Sequence, residues 1–268
     1  MLDTPIAHVA LPDVAAYNAT LVDRTNETGA TARFRIRPDT GPASFVPGQY
    51  LTLGLDTGGR ILQRPYSTAS AATGDDTLEF YIRLVPVPRF TSLLWRLPVG
   101  HRLRVIGPKG RFTLERDDER VHLMVSTGTG IAPFVSMLRT LRAEGRPCRA
   151  VIVHGVSHAD ELGYRALLEG WQAEDDHLVR YVPTVSRPDG PRAAGWTGRT
   201  GRVESALPDI CADLRLTPET TVAYLCGNPG MIANAAAVLA SRGFPPESVK
   251  FEHYWPAARE DAPPEPAA

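Results

Sequence analysis

The hydrophobic pattern of this chain changes near position 120, and few folds accommodate such a change. Before it, short runs rich in β-branched and aromatic residues (17–22, 32–37, 49–55, 64–69, 78–84 and 102–106) are separated by turn residues such as Gly41-Pro42, Pro47-Gly48, Gly58-Gly59 and Gly74-Asp75. Short strands at this spacing fit a small antiparallel barrel. One helical interruption is expected over 91–97, where Ser or Thr can cap the first turn. After Val121, apolar runs (121–125, 150–153, 178–185, 222–225) alternate with helical stretches (132–143, 160–170, 229–241), and a last strand fits 248–254. Strand–helix alternation predicts a parallel sheet covered on both faces. The expected fold is therefore two-domain, β followed by α/β: a six-stranded antiparallel barrel over 1–118, then a five-stranded parallel domain over 119–255. The tail, 256–268, is almost wholly Pro, Ala and acidic residues with one Arg, and a segment of that composition is expected to be disordered.

Composition removes several classes of function. A net charge of −1 gives no global attraction to nucleic acid or to an anionic membrane. No apolar run approaches the roughly 18 residues that span a bilayer, and Met1-Leu2-Asp3-Thr4-Pro5 has no basic start followed by an apolar stretch. Cys148, Cys211 and Cys226 are too few and too scattered for a disulfide framework or an iron–sulfur cluster. His154 and His158 stand four apart without an acidic third ligand, so no metal is expected. The expectation is a cytoplasmic protein, a monomer, with neither nucleic acid nor membrane as a partner.

Gly128-Thr129-Gly130-Ile131-Ala132-Pro133 follows a strand and opens a helix, the context that a dinucleotide turn requires. Glycines let the backbone approach a pyrophosphate, and the helix start adds N–H groups and a positive dipole end. Pro133 stands where a third glycine is usual, and a proline near a helix start costs little. Alone, the segment also fits a strand-to-helix turn with no ligand. No Asp or Glu ends the second strand, which runs into His154-Gly155-Val156-Ser157, so the usual acceptor for a ribose 2′-hydroxyl is missing. Arg187 and Arg199 could instead bind a 2′-phosphate, although surface arginines without a ligand are the common alternative.

Arg64-Pro65-Tyr66-Ser67 falls on a strand, with Arg64 and Tyr66 on one face and Ser67 on the other. A Tyr packs flat on an aromatic ring system and keeps a polar edge. Phe90-Thr91-Ser92 opens a short helix. Cys226-Gly227-Asn228-Pro229 leaves the fourth parallel strand at its carboxyl end, where ligands gather in open α/β sheets. No neighbouring base activates the Cys226 thiol, and a small buried hydrophobe is the competing reading. Glu252-His253-Tyr254-Trp255 ends the last strand with two aromatics after an acid.

In this order and at these distances, the four segments at 64–67, 126–133, 226–229 and 251–255 resemble the signature set of the ferredoxin–NADP⁺ reductase superfamily, closest to its bacterial ferredoxin/flavodoxin branch, over roughly 15–255. The resemblance implies a flavoprotein oxidoreductase that uses FAD and NADP(H) and exchanges electrons with a separate ferredoxin or flavodoxin. It implies FAD contacts from Arg64, Pro65, Tyr66, Ser67, Tyr81, Ile82, Arg83, Phe90, Thr91, Ser92, Thr129, Tyr254 and Trp255. For NADP it implies Thr127, Gly128, Thr129, Gly130, Pro133, Ser157, Arg187, Arg199, Cys226, Gly227 and Asn228, with Ser67, Cys226 and Glu252 at the hydride-transfer centre. Tyr254 and Trp255 are expected to cover the flavin. Two departures stand out: similar reductases often carry Arg where this chain has Ser157, and they stop at or just after the final aromatic. A reductase component for an oxygenase, a free-flavin or quinone reductase, and a flavin-binding protein without turnover are the alternatives.

Overall fold

The computed structural model describes residues 17–41, 43–58, 61–85, 90–115, 117–193 and 195–253. Tyr254, Trp255 and the tail lie outside the described residues, as does the last residue of the strand expected over 248–254. The chain divides into two compact units, Met1–Arg111 and Phe112–Ala268. The division falls ahead of position 118, because the stretch that follows Arg111 packs on the second unit. Phe112 is buried, its ring 6.0 Å from those of Phe134 and Tyr224, and the Glu115 N–H donates to the Tyr224 hydroxyl at 3.2 Å. Its charges form ion pairs, Asp118 with its neighbour Arg120 and Glu115 with the distant Lys250.

The first unit holds strands β1 (Ala19–Asn26), β2 (Thr31–Pro38), β3 (Tyr50–Asp56), β4 (Ile61–Ser67), β5 (Leu78–Arg83) and β6 (Arg102–Lys109), with one short helix, α1 (Phe90–Leu94). The order is β4-β3-β6-β1-β2-β5, and every pairing is antiparallel. The outer strands meet as well: Thr68 bridges Phe80, and the Ala69 N–H donates to the Glu79 carbonyl at 2.8 Å. Alternation along β2 shows what directs the folding. Phe34 and Ile36 are fully buried, while Arg33, Arg35 and Arg37 turn outward to pair with Glu27, Glu79 and Asp76. The enclosed core joins Leu21, Phe34, Leu53, Phe80 and Leu103 to Phe90 and Leu94 of α1.

In the second unit the strands are β7 (Val121–Thr127), β8 (Ala150–Val156), β9 (Val179–Val185), β10 (Arg199–Thr200), β11 (Thr221–Gly227) and β12 (Val249–His253). All pairings are parallel, in the order β10-β9-β8-β7-β11-β12. The five expected strands are present, and β10 is a short sixth at the edge. The helices are α2 (Ala132–Ala143), α3 (Arg165–Glu174), α4 (Val203–Asp213) and α5 (Pro229–Ser241). Leu123, Val125, Val151, Val153, Ala223 and Leu225 form one face with residues of α4 and α5. The alternating residues, among them Met124, Ile152 and Tyr224, are equally buried on the other face, so the sheet is covered twice. Sequence patterning missed α4 because Pro208 lies inside it. It also placed α3 too early: the chain first makes a 3-10 turn at Ala159–Glu161, and Tyr164 takes a left-handed conformation (φ 60°) before the helix starts.

Candidate functional site

From β7 the connections run outward in both directions, through β8 to β9 and β10 on one side and to β11 and β12 on the other. Where the order reverses, the carboxyl ends of adjacent strands leave a crevice. The two strands beside it are β7 and β11, and they end in the two glycine-containing motifs singled out above. The Asn228 N–H donates to the Thr127 hydroxyl at 3.0 Å and ties these strand ends together. A Cβ on Gly130 would stand 2.4 Å from the Cys226 carbonyl oxygen, so only glycine lets the turn rest on β11. Gly128 is constrained differently. Its φ is 53°, and a Cβ there would project into open space, which leaves the approach to the turn clear. The turn, a 3-10 segment at Gly128–Ile131, leads into α2 with Pro133 in its first turn. Asn228 caps α5, its Oδ1 accepting from Gly230 N–H (2.8 Å) and Met231 N–H (3.3 Å), and Pro229 follows. Cys226 is fully buried, and its register partner on β12 is the half-buried Glu252. Two of the three expected centre residues are thus neighbours across one strand pair.

Further along the same edge, the ends of β8, β9 and β10 are laced together. The Arg187 N–H donates to the Ser157 carbonyl (2.9 Å), Gly201 N–H to the Val185 carbonyl (2.9 Å), and the Thr184 hydroxyl to the Gly201 carbonyl (2.9 Å). Arg187 is exposed there. Glu161 accepts from the Ser157 N–H at 3.3 Å, yet it is buried and ion-paired at 3.1 Å with Arg192, which also holds Asp160. Those two carboxylates therefore neutralise Arg192 and raise its pKa. Arg199 pairs at 2.7 Å with Asp213, at the far end of α4, where both line a cavity of about 260 Å³ with Arg180 and Tyr181. Arg202 immediately precedes α4, and hence lies at the carboxyl edge. Its side chain is 77% exposed and only loosely paired, 3.9 Å from Glu204. Gly198-Arg199 and Gly201-Arg202 are a repeated pair, of which sequence reasoning singled out only the first.

The other expected segments gather in the first unit. Ring centroids of Tyr66 on β4 and Phe90 on α1 are 5.8 Å apart, which brings the Arg-Pro-Tyr-Ser strand to the helix start. Register sets Arg64 opposite Leu53 and Tyr66 opposite Leu51, so the two share a face, and the buried Ser67 takes the other. Arg64 is half-buried and Pro65 exposed. The Thr91 hydroxyl accepts from the Val85 N–H at 3.0 Å and thereby fixes the exit from β5. Ser92 is half-buried beside it. On β5, Tyr81 and Ile82 are buried and Arg83 is exposed. Alternation places Tyr81 and Arg83 on the face away from the barrel core that Ile82 enters.

Residues 18–114 match the family described as the oxidoreductase FAD-binding domain, and residues 124–237 match the oxidoreductase NAD-binding domain. Ferredoxin–NADP reductase B of Sorangium cellulosum (strain So ce56) is 32% identical over 222 residues, which are 81% of this chain and 88% of that protein. The crystal structure of a ferredoxin NADP⁺ reductase from Neisseria gonorrhoeae, with bound FAD and NADP, is 28% identical with a TM-score of 0.76, over 89% of this chain and 98% of that one. An Amycolatopsis cytochrome P450 reductase, GcoB, gives 28% and 0.76 over 90% of this chain and 70% of its own. The cofactors are accordingly FAD and NADP(H), and the enzyme is an oxidoreductase. This chain belongs to the ferredoxin–NADP reductase family.

Proposed function

We propose that the protein exchanges a hydride with NADP(H) and single electrons with a ferredoxin or flavodoxin. The carrying observation is the nucleotide edge, where a glycine turn sits at the reversal of strand order and two exposed arginines lie further along. FAD, when bound, supplies the two-electron acceptor and its one-electron outlet. In this reading the first unit holds FAD and the second holds NADP(H).

The residues fit both groups. Arg64 neutralises phosphate charge, Tyr66 offers a half-buried ring braced by Phe90, and Ser67 sets a hydroxyl at the end of β4. Tyr81, Arg83 and the Phe90-Thr91-Ser92 segment complete that surface. The open space beside Gly128 admits a pyrophosphate, with the N–H groups of the turn and Pro133 at the start of α2 behind it. Arg187 and Arg202 supply charge for a 2′-phosphate; Arg199 is committed to Asp213. Cys226 and Glu252, paired across β11 and β12, give the nicotinamide end its shape and polarity. Among the described residues no helix is long and apolar enough to cross a membrane. We place the protein in the cytoplasm, as a monomer.

A second reading is a reductase component for an oxygenase, which the likeness to the cytochrome P450 reductase favours. The deciding measurement is anaerobic: the absorption spectrum of the purified protein, then its reduction by NADPH and by NADH, then reoxidation by ferredoxin, flavodoxin, free FMN and a quinone. The expected result is a bound-flavin spectrum bleached faster by NADPH and restored fastest by ferredoxin or flavodoxin. A protein that cannot take up FAD would end the proposal. Fastest reoxidation by free FMN or quinone would replace the carrier.

A further inference from the structure

His154 is fully buried on β8, and the hydride chemistry above does not use it. Its Nε2 is 2.9 Å from the Gly128 carbonyl oxygen, and its Nδ1 is 3.2 Å from the Tyr181 hydroxyl on β9. A carbonyl can only accept, so Nε2 carries the proton, and the bare Nδ1 accepts from Tyr181. Burial pushes the imidazole down to about 4, which keeps it neutral at neutral pH. The ring is therefore held in one tautomer from both sides.

The consequence lies in the peptide that joins Gly128 to Thr129. In a planar trans peptide the C=O and the N–H point in opposite directions. With the Gly128 carbonyl drawn inward to His154, the Thr129 N–H is directed outward, away from the sheet. The direction of that peptide depends on ψ at Gly128 and φ at Thr129; the 3-10 segment at Gly128–Ile131 favours it, and the bond from His154 holds it at the segment's first residue. We propose that His154 and Tyr181 are positioning residues for the dinucleotide: His154 pins the Gly128 carbonyl, and the pinned peptide presents the Thr129 N–H to the pyrophosphate. This rests on reading 128–133 as the pyrophosphate turn.

Calorimetric titration of the FAD-loaded protein with two probes tests it. One is 2′-phospho-ADP-ribose, which carries the pyrophosphate; the other is adenosine 2′-monophosphate, which lacks it. His154→Leu should weaken the first about tenfold, the loss one hydrogen bond carries, and leave the second nearly unchanged. His154→Gln, whose amide can donate to the same carbonyl, should recover most of that loss. Equal weakening of both probes, no weakening of either, or a Gln variant as poor as Leu would each overturn the proposal. Should His154→Leu not fold, nitrogen NMR of the parent protein and of Tyr181→Phe decides. The parent ring must be protonated on Nε2 alone, and Tyr181→Phe must raise the Nδ1-protonated share and weaken only the pyrophosphate probe; a parent ring protonated on Nδ1 overturns it. If the parent binds neither probe, the nucleotide reading falls and takes this one with it.

Discussion

Gly128 and Gly130 stand two apart in one turn and answer to different constraints. At Gly130 an added methyl meets the Cys226 carbonyl at 2.4 Å, a contact that nothing flexible can relieve. Overpacking of this kind costs about 1–3 kcal/mol and displaces the turn. At Gly128 the space is open and only the backbone is strained (φ 53°), at about 1–2 kcal/mol. Gly130→Ala should therefore lower the Tm the more, and Gly128→Ala, whose methyl enters the space proposed for the pyrophosphate, should weaken NADP⁺ binding out of proportion to its loss of Tm. Thermal melts and NADP⁺ titrations of both variants check this; indistinguishable variants would refute the distinction. Asp118 gives a second test at this scale. The Arg120 guanidinium, bonded to both carboxylate oxygens, holds Asp118 at about 2, below the usual 3.8. A depressed carboxylate contributes stability above its unfolded value and loses it as pH falls through the folded one. The pair is thus worth about 2 kcal/mol at most at neutral pH. Asp118→Asn should melt lower than the parent at neutral pH, and the two should converge between about pH 4 and pH 2. A gap independent of pH would mean that the carboxylate charge is not what matters.

At the level of elements, β10 and α4 set the two arginines of the proposed 2′-phosphate site apart. Arg199 and Arg202 lie on the same connection, yet Arg199 on β10 pairs with Asp213, whereas Arg202 precedes α4 at the carboxyl edge. A hydrogen bond to a charged group is worth about 1.5–3 kcal/mol. Arg202→Ala and Arg187→Ala should each raise the KM for NADPH by at least about tenfold and leave NADH nearly untouched. Arg199→Ala removes an exposed ion pair worth under about 1 kcal/mol and should change neither KM. Steady-state kinetics with both nucleotides decides; an NADPH loss confined to Arg199→Ala would reverse the assignment.

For the molecule as a whole, each unit has a core of its own: Leu21 through Leu103 with α1 in one, and the β7–β8–β11 face with α4 and α5 in the other. Ligands that bind one native unit stabilise that unit by mass action. Scanning calorimetry should resolve unfolding that is not two-state. Excess FAD should raise the transition of the first unit, and 2′-phospho-ADP-ribose that of the second. One transition raised equally by either ligand would show that the units melt together.

Much of this was legible in the sequence, because strand and helix periodicity is a local property that burial reads directly. The runs at 32–37, 121–125 and 222–225 needed only their own residues to announce strands, and the glycine turn announced a strand-to-helix joint. The signals that failed were local signals overruled by packing. Pro208 argued against a helix, and α4 forms around it because Val203, Leu207 and Ile210 are buried against β7 and β8. The boundary expected at 118 lies instead after Arg111, because the Glu115 carboxylate pairs with Lys250 and its N–H bonds Tyr224, both in the second unit. The pairing of Arg199 and the two ring contacts of His154 are made with partners distant in sequence: Asp213, Gly128 and Tyr181. Residue type and spacing declare what chemistry a chain can perform; direction is set only when the fold supplies the partner.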